Sequence, residues 1–419
     1  NLTDVDDKTI AGARQAGVTL AAYTAPFIAS FFADLDALHI ERAERYPRAT
    51  EHVPEMVEII RALLARGHAY EADGSVFFRI AADADYGRLS GFDLAEVRRG
   101  ERVADDAYDK EDARDFVLWK GAKPDEPSWP SPWGPGRPGW HIECSAMSMK
   151  YLGETFDIHC GGVDNIFPHH ENEIAQSESA TGKPFVRLWL HAEHLIVDGE
   201  KMSKSLGNFY TLRDLVAHGA EPRSVRFLLL STHYRKKLDF TFAGVEERKN
   251  ALKRLDEMRF RLEHAVEGTT ASPAVAERLQ QLEQEFGEAL ASDLNVPEAL
   301  GVLFTFVRDG NVLIEQGKLG AGDRERVLAN LQKLDGVLGV LDPAAWKEQI
   351  QVGGKPAEAG AEGSDGGGLS DAVVERLIAE REDARAARDW SRADSLRDRL
   401  TAAGITLEDT PQATRWKRR

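Results

Sequence analysis

Apolar residues recur at helical spacing over 9–33 and over 51–66, which predicts two helices packed on a common core. Thr50 stands as N-cap of the second, and Gly67 lies just past its end. The pattern then changes. Val76–Ile80 reads as a strand, and Pro124–Gly139 holds six prolines and three glycines, so 68–137 reads as an inserted, loop-rich module. From Trp140 the pattern alternates: a helix over Ile142–Tyr151, a strand over Phe156–His159, and a helix from Pro168. Such alternation predicts a parallel α/β sheet. Glu193–Gly199 is a short strand ending in a turn, and Thr211–Asp214 is a capping box that opens a helix. Four amphipathic segments follow, 246–267, 273–292, 296–317 and 322–340, and predict a helical bundle. Gly353–Gly368 has no periodicity and reads as a flexible linker. Beyond it lie two helical segments, Ala372–Arg388 and Ser391–Ala403, then Ile405–Asp409 and a basic tail, Arg415–Arg419.

Composition narrows the class. The 419 residues are 42% hydrophobic, enough for a large core divided among several domains. No run of about 18 apolar residues occurs, so no membrane span is expected. Two cysteines exclude a disulfide framework and favour a reducing, cytoplasmic setting. The net charge of −17 argues weakly against nucleic acid, although a local basic patch can still bind RNA. The chain opens on Asn1 in the middle of what reads as a strand end, so a preceding N-terminal piece is expected.

Three clusters carry candidate chemistry. Lys201-Met202-Ser203-Lys204-Ser205-Leu206-Gly207-Asn208 places two lysines in a small, polar loop after a strand. Flexible ammonium groups there suit gripping a polyphosphate as charge develops. The string resembles the KMSKS signature of class I aminoacyl-tRNA synthetases. Cys144 and the segment Phe167–Glu173 form the second cluster. On a helix His169 and Glu173, at i and i+4, share a face, and a thiolate, an imidazole and a carboxylate together suit zinc. Cys144 as a merely packed thiol is the alternative. His170, Glu171, His159 and Cys160 compete as ligands, with His170 and Glu171 pointing off the His169–Glu173 face. The third cluster, Gly161-Gly162-Val163-Asp164, allows close backbone approach to a ligand, and its Asp suits ribose hydroxyls.

Taken together the chain resembles cysteinyl-tRNA synthetases. The matching strings are Asn1–Asp7, Phe116–Lys120, Pro127–Pro132, Pro138–Met147, Phe167–Ser177, Lys201–Asn208 and Gly404–Arg419, in order along nearly the whole length. The resemblance implies ATP-dependent activation of L-cysteine to cysteinyl-adenylate, then transfer to the 3′ end of the cysteine tRNA. It implies Mg2+ with ATP and one Zn2+, with Cys144, His169 and Glu173 as ligands. A fourth ligand, a Cys, and the HIGH motif would precede Asn1. Lys201 and Lys204 would grip the phosphates, Lys204 being the more critical, with Met202, Gly162 and Asp164 also at ATP. Thr3, Trp140 and His159 would line the cysteine pocket. Arg385, Trp390, Asp394 and Asp409 would meet the anticodon, and Arg235-Lys236-Lys237 and the basic tail would meet phosphates. Cys160 stands where the family pattern usually has Gly.

The fold implied is α/β: a class I, Rossmann-like parallel-sheet catalytic domain over 1–55 and 138–205, interrupted by a connective insertion over 56–137. A stem-contact region (206–245), entered through the lysine loop, leads to a helical bundle (246–350). A linker (351–369) and an anticodon-binding domain (370–419) complete a chain expected to act as a monomer. Two other readings compete. One is a synthetase-like ligase joining cysteine to an amino sugar, which should lack an anticodon domain. The other is a noncatalytic fragment that binds zinc and RNA.

Overall fold

The structure, a computed structural model, describes residues 1–91, 114–124, 126–203, 206–346, 405–409 and 414–418, with positions 377, 378, 381, 384, 393, 396, 397 and 400. It divides into two compact units, Asn1–Pro356 and Ala357–Arg419.

The apolar run over 9–33 is two helices rather than one. Helix α1 (Asp7–Ala16) is opened by the reciprocal Asp6–Thr9 capping box, and α2 (Leu20–Ala37) meets it at a bend of 111°. Gly17 takes φ +65°, a left-handed value cheap only for glycine. Its amide and that of Val18 donate back to Arg14 and Ala13, and Thr19 caps the next helix. A second expectation also fails. Helix α3 (Val53–Ala65) starts after His52, without a side-chain cap. Thr50 lies in a 3-10 turn, and its amide and hydroxyl bind the carboxylate of Asp4 at 3.0 and 2.7 Å. That long-range contact ties the N-terminal segment to the start of α3.

The insertion is an antiparallel sheet in the order β1 (Ala69–Ala72), β2 (Ser75–Phe78), β3 (Phe116–Gly121), β4 (Gly136–Pro138). Asp73 and Gly74, at φ +50° and +72°, form the two-residue turn between β1 and β2. Val76, Phe78, Leu118 and Trp119 are fully buried in one core with Met56, Ile60 and Leu63 of α3. Helix α4 (Trp140–Leu152) joins that core through Ile142 and Met147. Then β5 (Phe156–Gly162), α5 (Glu171–Thr181) and β6 (Val186–Ala192) make a β–α–β unit with β5 and β6 parallel.

A smaller sheet follows, β8 (Glu200–Lys201), β7 (Leu195–Val197) and β9 (Leu238–Phe240) in spatial order, with β7 parallel to β9. Between β8 and β9 run α6 (Leu212–Ala217), opened by the reciprocal Thr211–Asp214 capping box, and α7 (Pro222–Leu230). Arg223 of α7 reaches the Val340 carbonyl and grips Asp256 bidentately, at 2.7 and 2.8 Å. It thereby fastens α7 to the bundle of α8 (Phe242–His264), α9 (Pro273–Ala291), α10 (Val296–Glu315) and α11 (Asp323–Leu338). Leu255, Leu282, Leu303 and Leu331 lie in the core that these four helices enclose. In the second unit Leu377, Ile378, Leu396 and Leu400 are helical and buried. Strands β10 (Ile405–Asp409) and β11 (Thr414–Arg418) form an antiparallel hairpin. The linker expected over 351–369 lies outside the described residues.

Candidate active site

Helix α4 starts hard against the insertion. Gly139 precedes it, and a Cβ there would stand 2.3 Å from the Val117 carbonyl oxygen. One turn later Cys144 is buried, its sulfur accepting from the Asn1 side-chain amide at 3.2 Å. Across from it, residues 166–170, kinked by extended backbone at Phe167, run into α5. That segment and helix carry His169 and Glu173, and the donor atoms of Cys144, His169 and Glu173 all lie within 4.8 Å of one another.

Glu173 is completely buried, and neither carboxylate oxygen accepts a hydrogen bond from the described residues. Two imidazole nitrogens approach it without bonding geometry: His169 Nε2 at 2.8 Å from Oε1 and His159 Nε2 at 3.6 Å from Oε2. A buried acceptor normally has a partner, because leaving one unmet costs about 1–3 kcal/mol and more for a charge. Burial, then the carboxylates of Glu173 and Glu143, push the Cys144 thiol well above its ordinary range. A cation among these groups would reverse that preference and hold the thiolate.

The surrounding wall is imidazole and indole. Trp140 is half exposed and stacks on His169 with ring centres 4.2 Å apart. His169 Nδ1 meets His141 Nδ1 at 2.9 Å, and His170 Nδ1 meets His191 Nε2 at 2.8 Å. Trp189 packs against both His159 and His170. Burial, reinforced by neighbouring imidazoles, lowers His141 and His170 to about 3, so both are neutral near pH 7.

The helical-face expectation sets His170 aside, yet His170, His159 of β5 and Glu173 also lie within 4.8 Å of one another, so the structure returns His170 to the possible ligands. Glu171 is engaged elsewhere, accepting from the amides of Gly87 and Ser90 at 3.0 and 2.8 Å. Cys160 is exposed and belongs to neither donor group. Gly161 has a reason internal to the site: a Cβ there would sit 2.5 Å from His170 Cε1. Asp164 is exposed in a 3-10 turn after Gly162. Thr3 lines a separate recess of about 370 Å³ with Tyr23, Phe27 and Phe31, two residues from the Asn1 that touches Cys144.

The lysine loop leaves β8, which a two-residue turn at Asp198 and Gly199 (φ +50° and +79°) joins to β7. Lys201 is exposed at the strand end, and Met202 is half-buried against the core of β7 and α6. Lys204 lies outside the described residues, as do Arg385, Trp390 and Asp394; Asp409 ends β10 opposite Thr414. Arg235 is exposed and ion-paired with Asp293.

Residues 1–250 match the family described as tRNA synthetases class I (C) catalytic domain. Residues 285–342 match the DALR domain, and 368–416 match the cysteinyl-tRNA ligase anticodon binding domain. The cysteine–tRNA ligase of Solibacter usitatus is 48% identical over the whole chain, which covers 86% of that protein. That of Chlamydia pneumoniae is 46% identical, again over the whole chain, with 85% of it covered. The chain belongs to the cysteine–tRNA ligase family. Its fold is that of the class I synthetases. Mycobacterium tuberculosis methionyl-tRNA synthetase bound by methionyl-adenylate superposes with a TM-score of 0.55 at 18% identity, over 84% of this chain and 80% of that one.

As members of the cysteine–tRNA ligase family go, this chain has catalytic, DALR and anticodon-binding regions in one order. No single described helix is long and apolar enough to cross a membrane. Sequence reasoning passed over two residues at the site. Asn208 ties the lysine loop, accepting from the Ser203 amide at 2.8 Å and donating to the Lys201 carbonyl at 3.2 Å. An Asn beside glycine in a short polar loop was its signal. Gln176, fully buried on α5, donates to the His141 carbonyl at 3.1 Å and to Ser145 Oγ at 3.0 Å. It joins the two helices that carry the donor cluster, and nothing local in sequence marks it.

Proposed function

We propose that the chain activates L-cysteine with Mg2+–ATP, transfers it to the cysteine tRNA, and recognises the cysteine thiol through a zinc ion held by Cys144, His169 and Glu173. The observation that supports the zinc reading is Glu173: fully buried, unmet on both oxygens, beside a thiol and an imidazole. One thiol, one imidazole and one carboxylate are a donor set that zinc accepts while leaving a position for a substrate. Bound there, zinc would favour a substrate thiolate over a harder, far less acidic hydroxyl.

The chain's own residues supply the rest. Trp140 and His159 flank the donor cluster and would enclose the cysteine side chain, with Thr3 on the N-terminal segment. Lys201 and Lys204 would hold the phosphates as the cysteine carboxylate attacks and pyrophosphate leaves, with Met202 anchoring their loop and Gly162 and Asp164 at the nucleoside. Arg385, Trp390, Asp394 and Asp409 would read unpaired anticodon bases by stacking and edge contacts. A monomer working in the cytoplasm belongs to the same reading. The amino-sugar ligase reading loses its ground, because the anticodon-binding region is matched over 368–416.

Cys144→Ser tests the assignment. The tightest zinc affinity of the chain should fall, and cysteine-dependent ATP–pyrophosphate exchange should weaken through the cysteine KM. An unchanged tightest zinc affinity in the variant would overturn Cys144 as a ligand.

A further inference from the structure

The donor cluster has a second half that the zinc assignment does not use. Glu173 presents Oε1 toward His169 and Oε2 toward His159, and His170 completes a second group within 4.8 Å. The two halves are built alike. His169 has its Nδ1 against His141, and His170 has its Nδ1 against His191. An imidazole that binds a metal through one nitrogen usually donates from the other to an outer partner, which fixes ring and tautomer. With Nδ1 so engaged, the nitrogen that His170 leaves for a cation is Nε2. Gly161 leaves the ring its room, since a Cβ there would collide with it.

We propose a second divalent-cation position beside the first, formed by His159, His170 and Glu173, with Glu173 shared between the two. Two imidazoles and one carboxylate select borderline cations such as zinc, cobalt or nickel over magnesium. The second ion meets the field of the first across one carboxylate, so it binds more weakly and the two sites fill in separate steps. Filling it also withdraws His159 from the cysteine pocket, so zinc above that second affinity raises the cysteine KM. The inference rests on the zinc reading only through Glu173, which both positions share.

Titration of the metal-stripped full chain with cobalt(II) separates the two positions, because only the first contains a thiolate. The first equivalent should bring a sulfur-to-cobalt charge-transfer band, and the second should add ligand-field absorption without it. His170→Ala should remove the second step and keep the band. His191→Phe, which spares both sets of donor atoms, should weaken the second step about 10–100-fold, and its retained band reports an intact fold. Saturation at one ion per chain in the wild type, or a second step unaltered by both variants, overturns the proposal and leaves the Cys144 site standing. A His170-dependent ion with no charge-transfer band in any variant sinks the Cys144 assignment and leaves this one.

Discussion

Glu173→Gln should make the metal-free chain more stable and the zinc-bound chain less so. The wild-type carboxylate is wholly buried and accepts no hydrogen bond from the described residues. Replacing it by an isosteric amide removes a desolvated charge, whose net cost in proteins is several kcal/mol. The amide also brings one nitrogen, which can donate to the nearer imidazole, His169 Nε2, 2.8 Å from the present oxygen, a bond worth about 0.5–1.5 kcal/mol. A cautious sum is about 2–4 kcal/mol, or about 5–15 °C in Tm at about 2–4 °C per kcal/mol for a large domain. Zinc reverses the order. At about a thousand times its Kd an ion stabilises the wild type by about 4 kcal/mol, and the variant, lacking an anionic ligand, gains much less. Calorimetry of both proteins, stripped and zinc-loaded, reads the transition that zinc moves. A stripped variant less stable than the stripped wild type would refute the reasoning, because it would mean that the histidines satisfy the carboxylate without a metal.

Lys204→Ala should slow adenylate formation by about 10²–10³, the usual effect of removing one electrostatic stabiliser, with cysteine binding little changed; equal losses in both would deny it a role confined to the transition state. Asn208→Ala unties the Lys201 carbonyl and the Ser203 amide, a loss of about 1–2 kcal/mol that should lower kcat/KM for ATP about 5–30-fold in pyrophosphate exchange. Unchanged kinetics would show that the loop holds its shape without that staple. His39 stacks on Trp346 at 3.8 Å, and burial beside Arg226 lowers its pKa below the ordinary 6.5. Its stabilising share is therefore complete above about pH 6.5 and is lost as pH falls through the lowered folded value. His39→Phe keeps the stack and should flatten the acid limb of the stability profile; an unaltered limb would place that proton elsewhere.

What the sequence made legible follows the range of the interactions involved. The four bundle helices read directly because each repeats apolar residues at i, i+3 and i+4 over about four turns or more, and the core takes that stripe. The break at Gly17 stayed hidden because one glycine inside an apolar run is tolerated in a helix, and only the turn formed with Val18 and Thr19 makes it a stop. Thr50 carries a sound local capping signal, yet Asp4, 46 positions upstream, claims both its amide and its hydroxyl. His170 is misjudged by a helical wheel of α5 alone, because the group it joins includes His159 of a neighbouring strand. Gln176 and the outer histidines His141 and His191 act between elements distant in sequence, where no spacing rule reaches.

The donor cluster also bears on how cysteine could be told from serine without a second site. A pocket that compares near-isosteres by shape gains about 10–200-fold, whereas faithful charging needs about 10⁴–10⁵. The shortfall of about 10²–10³ is roughly 3–4 kcal/mol, and it must come from an interaction that sulfur makes and oxygen does not. Apolar contacts such as those of Trp140 could not provide it, since methylene and ring contacts treat the two atoms nearly alike. Protein donors and acceptors would favour the hydroxyl, which is the stronger hydrogen-bonding group. A thiolate-seeking cation is the remaining source of that size and sign. The same requirement gives a buried, unmet Glu173 a purpose at the heart of the site: the ion would supply the partner that its carboxylate lacks among the described residues. On this reading the instability that Glu173→Gln should relieve and the discrimination against serine have one cause.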